Sequence, residues 1–166
     1  MPDEITVDCV IEDDRWEAAS LEDLAARAVT ATLDWHKIGG EVVVLGCDDA
    51  RIAALNADFR GKPRATNVLS WPSADPAPRA PGELPVPPDE EELGDIAIAL
   101  ETCAAEAEAQ GKPFAHHVQH LLVHATLHLL GYDHETDPDA QVMEDTERAI
   151  LDTLGIPDPY HETESS

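Results

Sequence analysis

The chain has 166 residues, of which 43% are hydrophobic, and this composition suits one compact domain with a sizeable core. Its 10 basic and 35 acidic residues give a formal net charge of −25, which argues against nonspecific affinity for nucleic acid. The N-terminus lacks a basic region followed by an apolar run, and no stretch has the roughly 18 apolar residues of a membrane span. With three scattered cysteines and no CxxC pair, these features predict a cytoplasmic protein with reduced thiols.

The first half of the chain is predicted to alternate strands with helices. Ser20 and Asp23 resemble a capping box that opens an amphipathic helix, and Gly39-Gly40 breaks the chain after it. Asp48 or Asp49 is expected to cap the next helix. Apolar periodicity predicts strands at residues 4–11, 41–47 and 66–71, with helices between them.

Residues 72–92 hold most of the prolines and end in a run of acids, so they are predicted to form a mobile surface insertion. No second core follows, and we expect a single domain over residues 1–166. A fourth strand is predicted at 94–100, followed by three helices. The expected fold class is α/β (α+β), with a small, mostly parallel or mixed four-stranded sheet. About five helices are expected to pack around a central helix that bears histidines.

The central helix is predicted over residues 114–130, with Pro113 at its first turn and Gly131 just past its end. At 100° per residue its apolar side chains cover two broad arcs. Four histidines form one narrow lane between these arcs: His117, His120, His124 and His128. A helix that is apolar nearly all round is central and buried, so its polar lane is expected to line a cleft.

The spacing of the last histidines is typical of a metal site. His124 and His128 lie one helical turn apart, so both imidazoles can reach one cation at about 2.0–2.1 Å. Gly131 permits a reversal of the chain that can return His134 towards them. Three nitrogen ligands leave a fourth position open, as in catalytic zinc sites. Two other interpretations of these histidines remain. The metal could be bound by His120 and His124 instead, or the histidines could be ordinary core residues that bind no metal.

The chemistry of such a site depends on the groups around it. The spacing resembles that of metzincin proteases, but Ala125 occupies the position of their glutamate general base, which disfavours peptide hydrolysis. A bound metal would still lower the pKa of its water to about 7. Residues 51–64 concentrate Arg51, Arg60, Lys62 and Arg64. This segment is either a solvated helix end and loop or a local anion site.

The block HATLHLLGYDHE, residues 124–135, resembles the signature of the YbeY family, the bacterial rRNA-maturation endoribonucleases. The resemblance extends to residues 55–72 and 93–100, in the order found in the family. It implies a single-domain metallohydrolase with one zinc ion on His124, His128 and His134, and a catalytic Arg60. Asn67 stands where many members have aspartate.

The resemblance further implies a zinc-dependent, single-strand-specific endoribonuclease that acts in rRNA 3′-end maturation and ribosome quality control. The implied partners are RNA, namely small-subunit rRNA and the ribosome, with a ribosomal protein as a further candidate. Asp133 or Glu135 is expected to orient a ligand imidazole. The alternatives are a ribosome-assembly factor with a mainly structural metal and, less favoured, a metallopeptidase. The sequence predicts neither the cleavage site nor the oligomeric state.

Overall fold

The protein is described by a computed structural model over residues 4–62, 64–73, 80–85 and 91–159. The described residues form four strands and six helices, so the predicted α/β class is confirmed; the short helix α1 was not predicted. The predicted insertion at 72–92 connects β3 to β4, and its residues 74–79 and 86–90 lie outside the described residues. The elements are β1 (Ile5–Ile11), α1 (Arg15–Ala18), α2 (Leu21–Trp35), β2 (Gly40–Cys47), α3 (Asp49–Arg60), β3 (Val68–Pro72), β4 (Glu92–Ala99), α4 (Leu100–Gln110), α5 (Phe114–Leu129) and α6 (Asp137–Thr153).

The four strands form one mixed sheet in the order β1-β2-β4-β3. β1 pairs in parallel with β2, and β2 in parallel with β4, as expected for strands joined by helical crossovers. β3 runs antiparallel to β4 and forms the outer edge of the sheet. Among the described residues, no strand pairs with the other flank of β3.

The histidine-bearing helix α5 lies at the centre of the fold and packs against α2, α4, α6, β3 and β4. Its apolar arcs are buried, with Val118, Leu122 and Leu127 at 0% exposure. A smaller core lies on the other side of the sheet, where Ile52 of α3 packs with Leu69 of β3. The prediction of a central helix with two buried sides is therefore confirmed.

The helix ends agree with the sequence in part. Asp48, not Asp49, caps α3 by accepting a hydrogen bond from the backbone N–H of Arg51 at 2.8 Å. The capping box predicted at Ser20 does not form, because Ser20 adopts a left-handed conformation (φ 61°) and its side chain makes no cap hydrogen bond. All three cysteines are free thiols. Within the described ranges, no helix is both long and apolar enough to cross a membrane.

Gly94 sets the position of the edge strand. The pairing of β2 with β4 shifts register beside it, and its φ of +146° is one that side chains rarely adopt. A Cβ atom here would meet the backbone oxygen of Trp71 and would lie 2.8 Å from Leu129 Cδ2. β3 can therefore approach β4 and α5 closely only because residue 94 has no side chain.

We expect Gly94→Ala to lower the free energy of unfolding by about 3 kcal/mol, because it combines backbone strain with overpacking. Gly111→Ala is the matched control, since Gly111 also has positive φ (66°) but has open space around it. The control should cost only about 1 kcal/mol. Urea unfolding curves measure both values, and equal losses for the two variants would contradict the packing argument.

Candidate metal centre

A cleft of about 640 Å³ lies between α5 and the edge strand β3. Its floor is formed by His120, His124 and His128 of α5, so three of the four lane histidines face a cleft as predicted, whereas His117 is buried and bonds to Glu106. Val68, Ser70 and Pro72 form the wall on β3, because alternate residues of a strand point to the same side. The loop after α5 closes the end of the cleft with residues 131–135.

The structure brings His124, His128 and His134 together in this cleft. One ligand nitrogen from each residue can be chosen so that all three lie within 4.8 Å of one another. The ring centroids of His124 and His128 are 4.6 Å apart, and His134 lies 5.7 Å and 5.3 Å from them. His134 is solvent-exposed, whereas the other two are half-buried. The three residues form a group that could hold a metal ion.

The turn after α5 explains how His134 reaches the pair. Leu130 ends the helix, and Gly131 follows with φ 104°, a conformation that favours glycine. The backbone N–H of Tyr132 then bonds back to the carbonyl of Leu127 at 3.1 Å. The chain thereby reverses over the last helical turn and carries residue 134 to the mouth of the cleft.

Hydrogen bonds fix which nitrogen of each helical imidazole carries the proton. His128 Nδ1 donates to the carbonyl of Tyr132 at 2.9 Å, and His124 Nδ1 donates to Glu147 Oε2 at 2.5 Å. In neutral rings both Nε2 atoms therefore present lone pairs, and these atoms lie 3.1 Å apart. Burial, aided by the neighbouring His124, lowers the pKa of His128 to about 4, so this ring is neutral at pH 7.

The donor set fits a zinc-like ion. Two unprotonated nitrogens in contact repel each other, and a cation between them removes that repulsion. A tetrahedral ion bound at about 2.0–2.1 Å would separate two nitrogen ligands by about 3.3 Å, close to the observed contact of the Nε2 atoms. Imidazole is a ligand that suits zinc, copper, iron and nickel alike, so the donor set fits an ion of this group. The exposed His134 completes a set of three and leaves the solvent side open.

Glu147 of α6 is the main site residue that the sequence analysis missed. Its side chain is completely buried, and its two oxygens accept hydrogen bonds from His120 Nε2 at 2.9 Å and from His124 Nδ1. Burial alone would raise the pKa of this carboxyl group, but the two imidazole hydrogen bonds outweigh it and lower the pKa to about 2. Glu147 is therefore an anion that ties α6 to the histidine lane.

A second chain of contacts holds His128 through Tyr132. The phenolic hydroxyl of Tyr132 donates to His36 Nε2 at 2.7 Å, while His36 Nδ1 donates to the carbonyl of Thr32 at 2.7 Å. Tyr132 is only 5% exposed, so this bond is shielded from water. Because the carbonyl of Tyr132 accepts from His128, helix α2 supports the orientation of that imidazole. The sequence analysis assigned no role to His36.

The remaining predicted residues have mixed outcomes. Arg60 is the last residue of α3, but its side chain lies outside the described part of the structure. Asn67 lines the cleft and donates to Glu106 Oε1 at 3.0 Å, and the same oxygen accepts from His117 at 2.9 Å. Glu147 and the carbonyl of Tyr132 accept hydrogen bonds from Nδ1 of His124 and of His128, and a role for Asp133 or Glu135 in orienting a ligand imidazole stays a prediction. Asp133 and Glu135 do line the cleft.

Three converging imidazoles in an open cleft of an α/β domain are typical of a metal-dependent hydrolytic enzyme. The family model for endoribonuclease YbeY matches residues 7–155. The chain therefore belongs to the YbeY family, and it is an endoribonuclease, a hydrolytic endonuclease.

Individual relatives agree with this membership. The endoribonuclease YbeY of Paracoccus denitrificans is 62% identical over 167 residues, which cover 99% of this chain and 96% of that protein. The protein of the same name from Dinoroseobacter shibae is 56% identical, over 96% of this chain and 92% of that one. The solution structure of TM1509 from Thermotoga maritima is similar in fold, with a TM-score of 0.57 at 19% identity, and the match covers 97% of this chain and 100% of that one.

Proposed function

We propose that this endoribonuclease is zinc-dependent and specific for single-stranded RNA, and that it acts in rRNA 3′-end maturation and ribosome quality control in the cytoplasm. Residues 1–166 would form a single metallohydrolase domain with a surface insertion at 72–92. The observation that carries the proposal is the convergence of His124, His128 and His134, whose ligand nitrogens can lie within 4.8 Å of one another.

His124, His128 and His134 would hold one zinc ion. When bound, the ion supplies a Lewis acid and an activated water for attack on a phosphodiester. Glu147 and the carbonyl of Tyr132 keep the Nδ1 protons in place, so that the Nε2 lone pairs stay aimed at one point. The solvent-exposed side of the site leaves room for a phosphate group.

Arg60 would bind a phosphate oxygen and stabilise the negative charge that builds up in the transition state. The position of Arg60 in the chain supports this role. Arg60 ends α3, and the chain continues from it into β3, which forms one wall of the cleft. A guanidinium group is always charged and can bind two phosphate oxygens at once. Arg60 is therefore the proposed catalytic residue beside the three histidines.

We expect Arg60→Ala to keep its zinc and to cleave single-stranded RNA about a hundredfold more slowly, as when one charge-stabilising donor is removed from an active site. Arg51→Ala is the matched control, because Arg51 lies on the same helix and pairs with Glu12 at 3.4 Å. The cleavage rate and the zinc content of both purified variants test this. Unchanged cleavage by Arg60→Ala would remove the proposed role.

A ribosome-assembly factor with a mainly structural metal is the second candidate. The net charge of −25 favours this second function, because an acidic protein attracts a basic ribosomal protein more readily than free RNA. In cells that lack the native protein, full rescue of ribosome maturation by Arg60→Ala would support this function over cleavage. A metallopeptidase is disfavoured because Ala125, where a general base would stand, is a buried alanine.

A further inference from the structure

Two aromatic side chains, Phe59 and Trp71, meet near the edge strand, and the ring of Phe59 is largely exposed. Phe59, near the end of α3, is 64% exposed, and its ring centroid lies 5.5 Å from that of Trp71 on β3. The rings are tilted by 67°, an edge-to-face contact that leaves a face of the exposed ring open to solvent. Trp71 is half-buried and packs against the small core under α3, and this packing holds one ring of the pair in place.

Two exposed cations follow Phe59 within five residues of the chain, and neither has an ion-pair partner within the described ranges. The chain has an excess of acids, and four arginines elsewhere lie 2.6–3.4 Å from carboxylate oxygens: Arg15, Arg27, Arg51 and Arg148. Lys62 and Arg64, in the turn that follows α3, are exposed and have no carboxylate within 4.0 Å among the described residues. Asp58 is the acid nearest to them in the sequence. The turn is fixed to α3, because Asn56 donates to the carbonyl of Arg64 at 3.0 Å.

The edge strand connects this surface to the histidine cleft. Ser70 and Pro72 of β3 line the cleft, whereas Trp71, between them, faces the opposite side of the same strand. β3 is the outermost strand of the sheet. A flexible polymer that crosses this edge can therefore contact the aromatic pair on one side and the histidines on the other.

We propose that Phe59 and Trp71 form a stacking platform for a base of single-stranded RNA, whose phosphates are held by Lys62 and Arg64. This inference deepens the proposed function and rests on it for the position of the cleaved bond. Although the whole chain is acidic, the local cations match phosphates and a ring face stacks on any base, so this surface favours RNA over a protein partner. Such contacts require unpaired bases, which would give the site a preference for single strands.

The test is the binding of a fluorescently labelled 2′-O-methyl RNA strand, measured by anisotropy at low salt, with a gel afterwards to show that the strand is intact. We expect Phe59→Leu to weaken binding about tenfold, because leucine is apolar but has no ring face. Phe59→Trp should bind as tightly as the wild type. Trp35→Leu is the matched control, because Trp35 is a 48% exposed aromatic residue at the end of α2. It should have no effect.

Two further measurements separate stacking from charge. An abasic strand should bind the wild type and Phe59→Leu equally weakly, since it offers no base to stack. Replacing both Lys62 and Arg64 with alanine should reduce the slope of log affinity against log salt by about 1.4, which is the loss of two phosphate contacts on a single strand. The stacking variants should leave this slope unchanged.

Three results would overturn the platform. The first is that the wild type does not bind the strand, and the second is that Phe59→Leu binds it as tightly as the wild type does. The third is that Phe59→Leu weakens binding of the abasic strand by the same factor as binding of the normal strand. If Phe59→Leu weakens only the association with small-subunit ribosomal proteins, the surface belongs to a protein partner instead. Because only strand that stays intact is scored, binding is measured apart from catalysis. A wild type that binds it but does not cut unmodified RNA refutes the proposed function and leaves the platform standing.

Discussion

The His128→Ala variant is expected to lose zinc on dialysis under conditions in which the wild type retains one ion per chain. His128 Nε2 lies 3.1 Å from His124 Nε2, so its removal takes away half of the helical pair and leaves His124 with only the exposed His134. Loss of an outer hydrogen-bond partner of a ligand already costs 10–100-fold in affinity, and loss of a ligand should cost at least about a hundredfold. Competition with a chromogenic chelator measures this change.

His116→Ala is the matched control, because it removes an imidazole from the same helix that does not belong to the converging group. It should bind zinc with wild-type affinity. RNA cleavage by His128→Ala should fall to background, and added zinc should restore it only at concentrations that exceed the weakened affinity. Wild-type zinc affinity in His128→Ala would show that the ion is bound elsewhere.

The second large effect is expected for Glu147→Gln. The carboxylate accepts N–H bonds from both His120 and His124, whereas an amide offers one accepting oxygen and one donating NH₂ group. One imidazole must then face a donor and move its proton to the other ring nitrogen. For His124 this places a proton on Nε2, the atom that would bind the metal. We expect a 10–100-fold loss of zinc affinity and a loss of about 1–3 kcal/mol in unfolding free energy.

Nitrogen-15 NMR of the imidazoles measures the tautomer of His124 directly and distinguishes this mechanism from simple destabilisation. Glu144→Gln is the control, since Glu144 lies one turn earlier on α6 and pairs on the surface with Arg148 at 3.7 Å. It removes the same charge without touching a histidine. An unchanged His124 tautomer together with wild-type zinc affinity in Glu147→Gln would contradict the positioning role.

The local sequence predicts α5 well because three signals agree there. Pro113 precedes the helix, Gly131 follows it with φ 104°, and the apolar arcs leave only one polar lane. The same pattern predicts that His124, His128 and His134 approach one another, because all three lie within 11 residues and their geometry depends on one helix and one turn. The strands were equally recognisable from their apolar periodicity.

Contacts between distant segments could not be predicted in the same way. Glu147 lies 23 residues from His124, and only the packing of α6 on α5 brings them together. One signal was present: Glu147 shares a helical stripe with Met143 and Ile150, and an acid on a buried stripe needs a partner. His36 gave no such signal, since its bond to Tyr132 spans 96 residues. Ser20 shows the opposite error, because a local capping pattern was present in the sequence but the residue adopts a left-handed conformation without a cap hydrogen bond.

An anomalous-scattering map at the zinc absorption edge, from crystals of the zinc-loaded protein, tests the central claim most directly. We expect one peak at about 2.0–2.1 Å from Nε2 of His124, Nε2 of His128 and a ring nitrogen of His134, with a coordination position open to the cleft. A peak held instead by His120 and His124, with His134 remote from the ion, would contradict it.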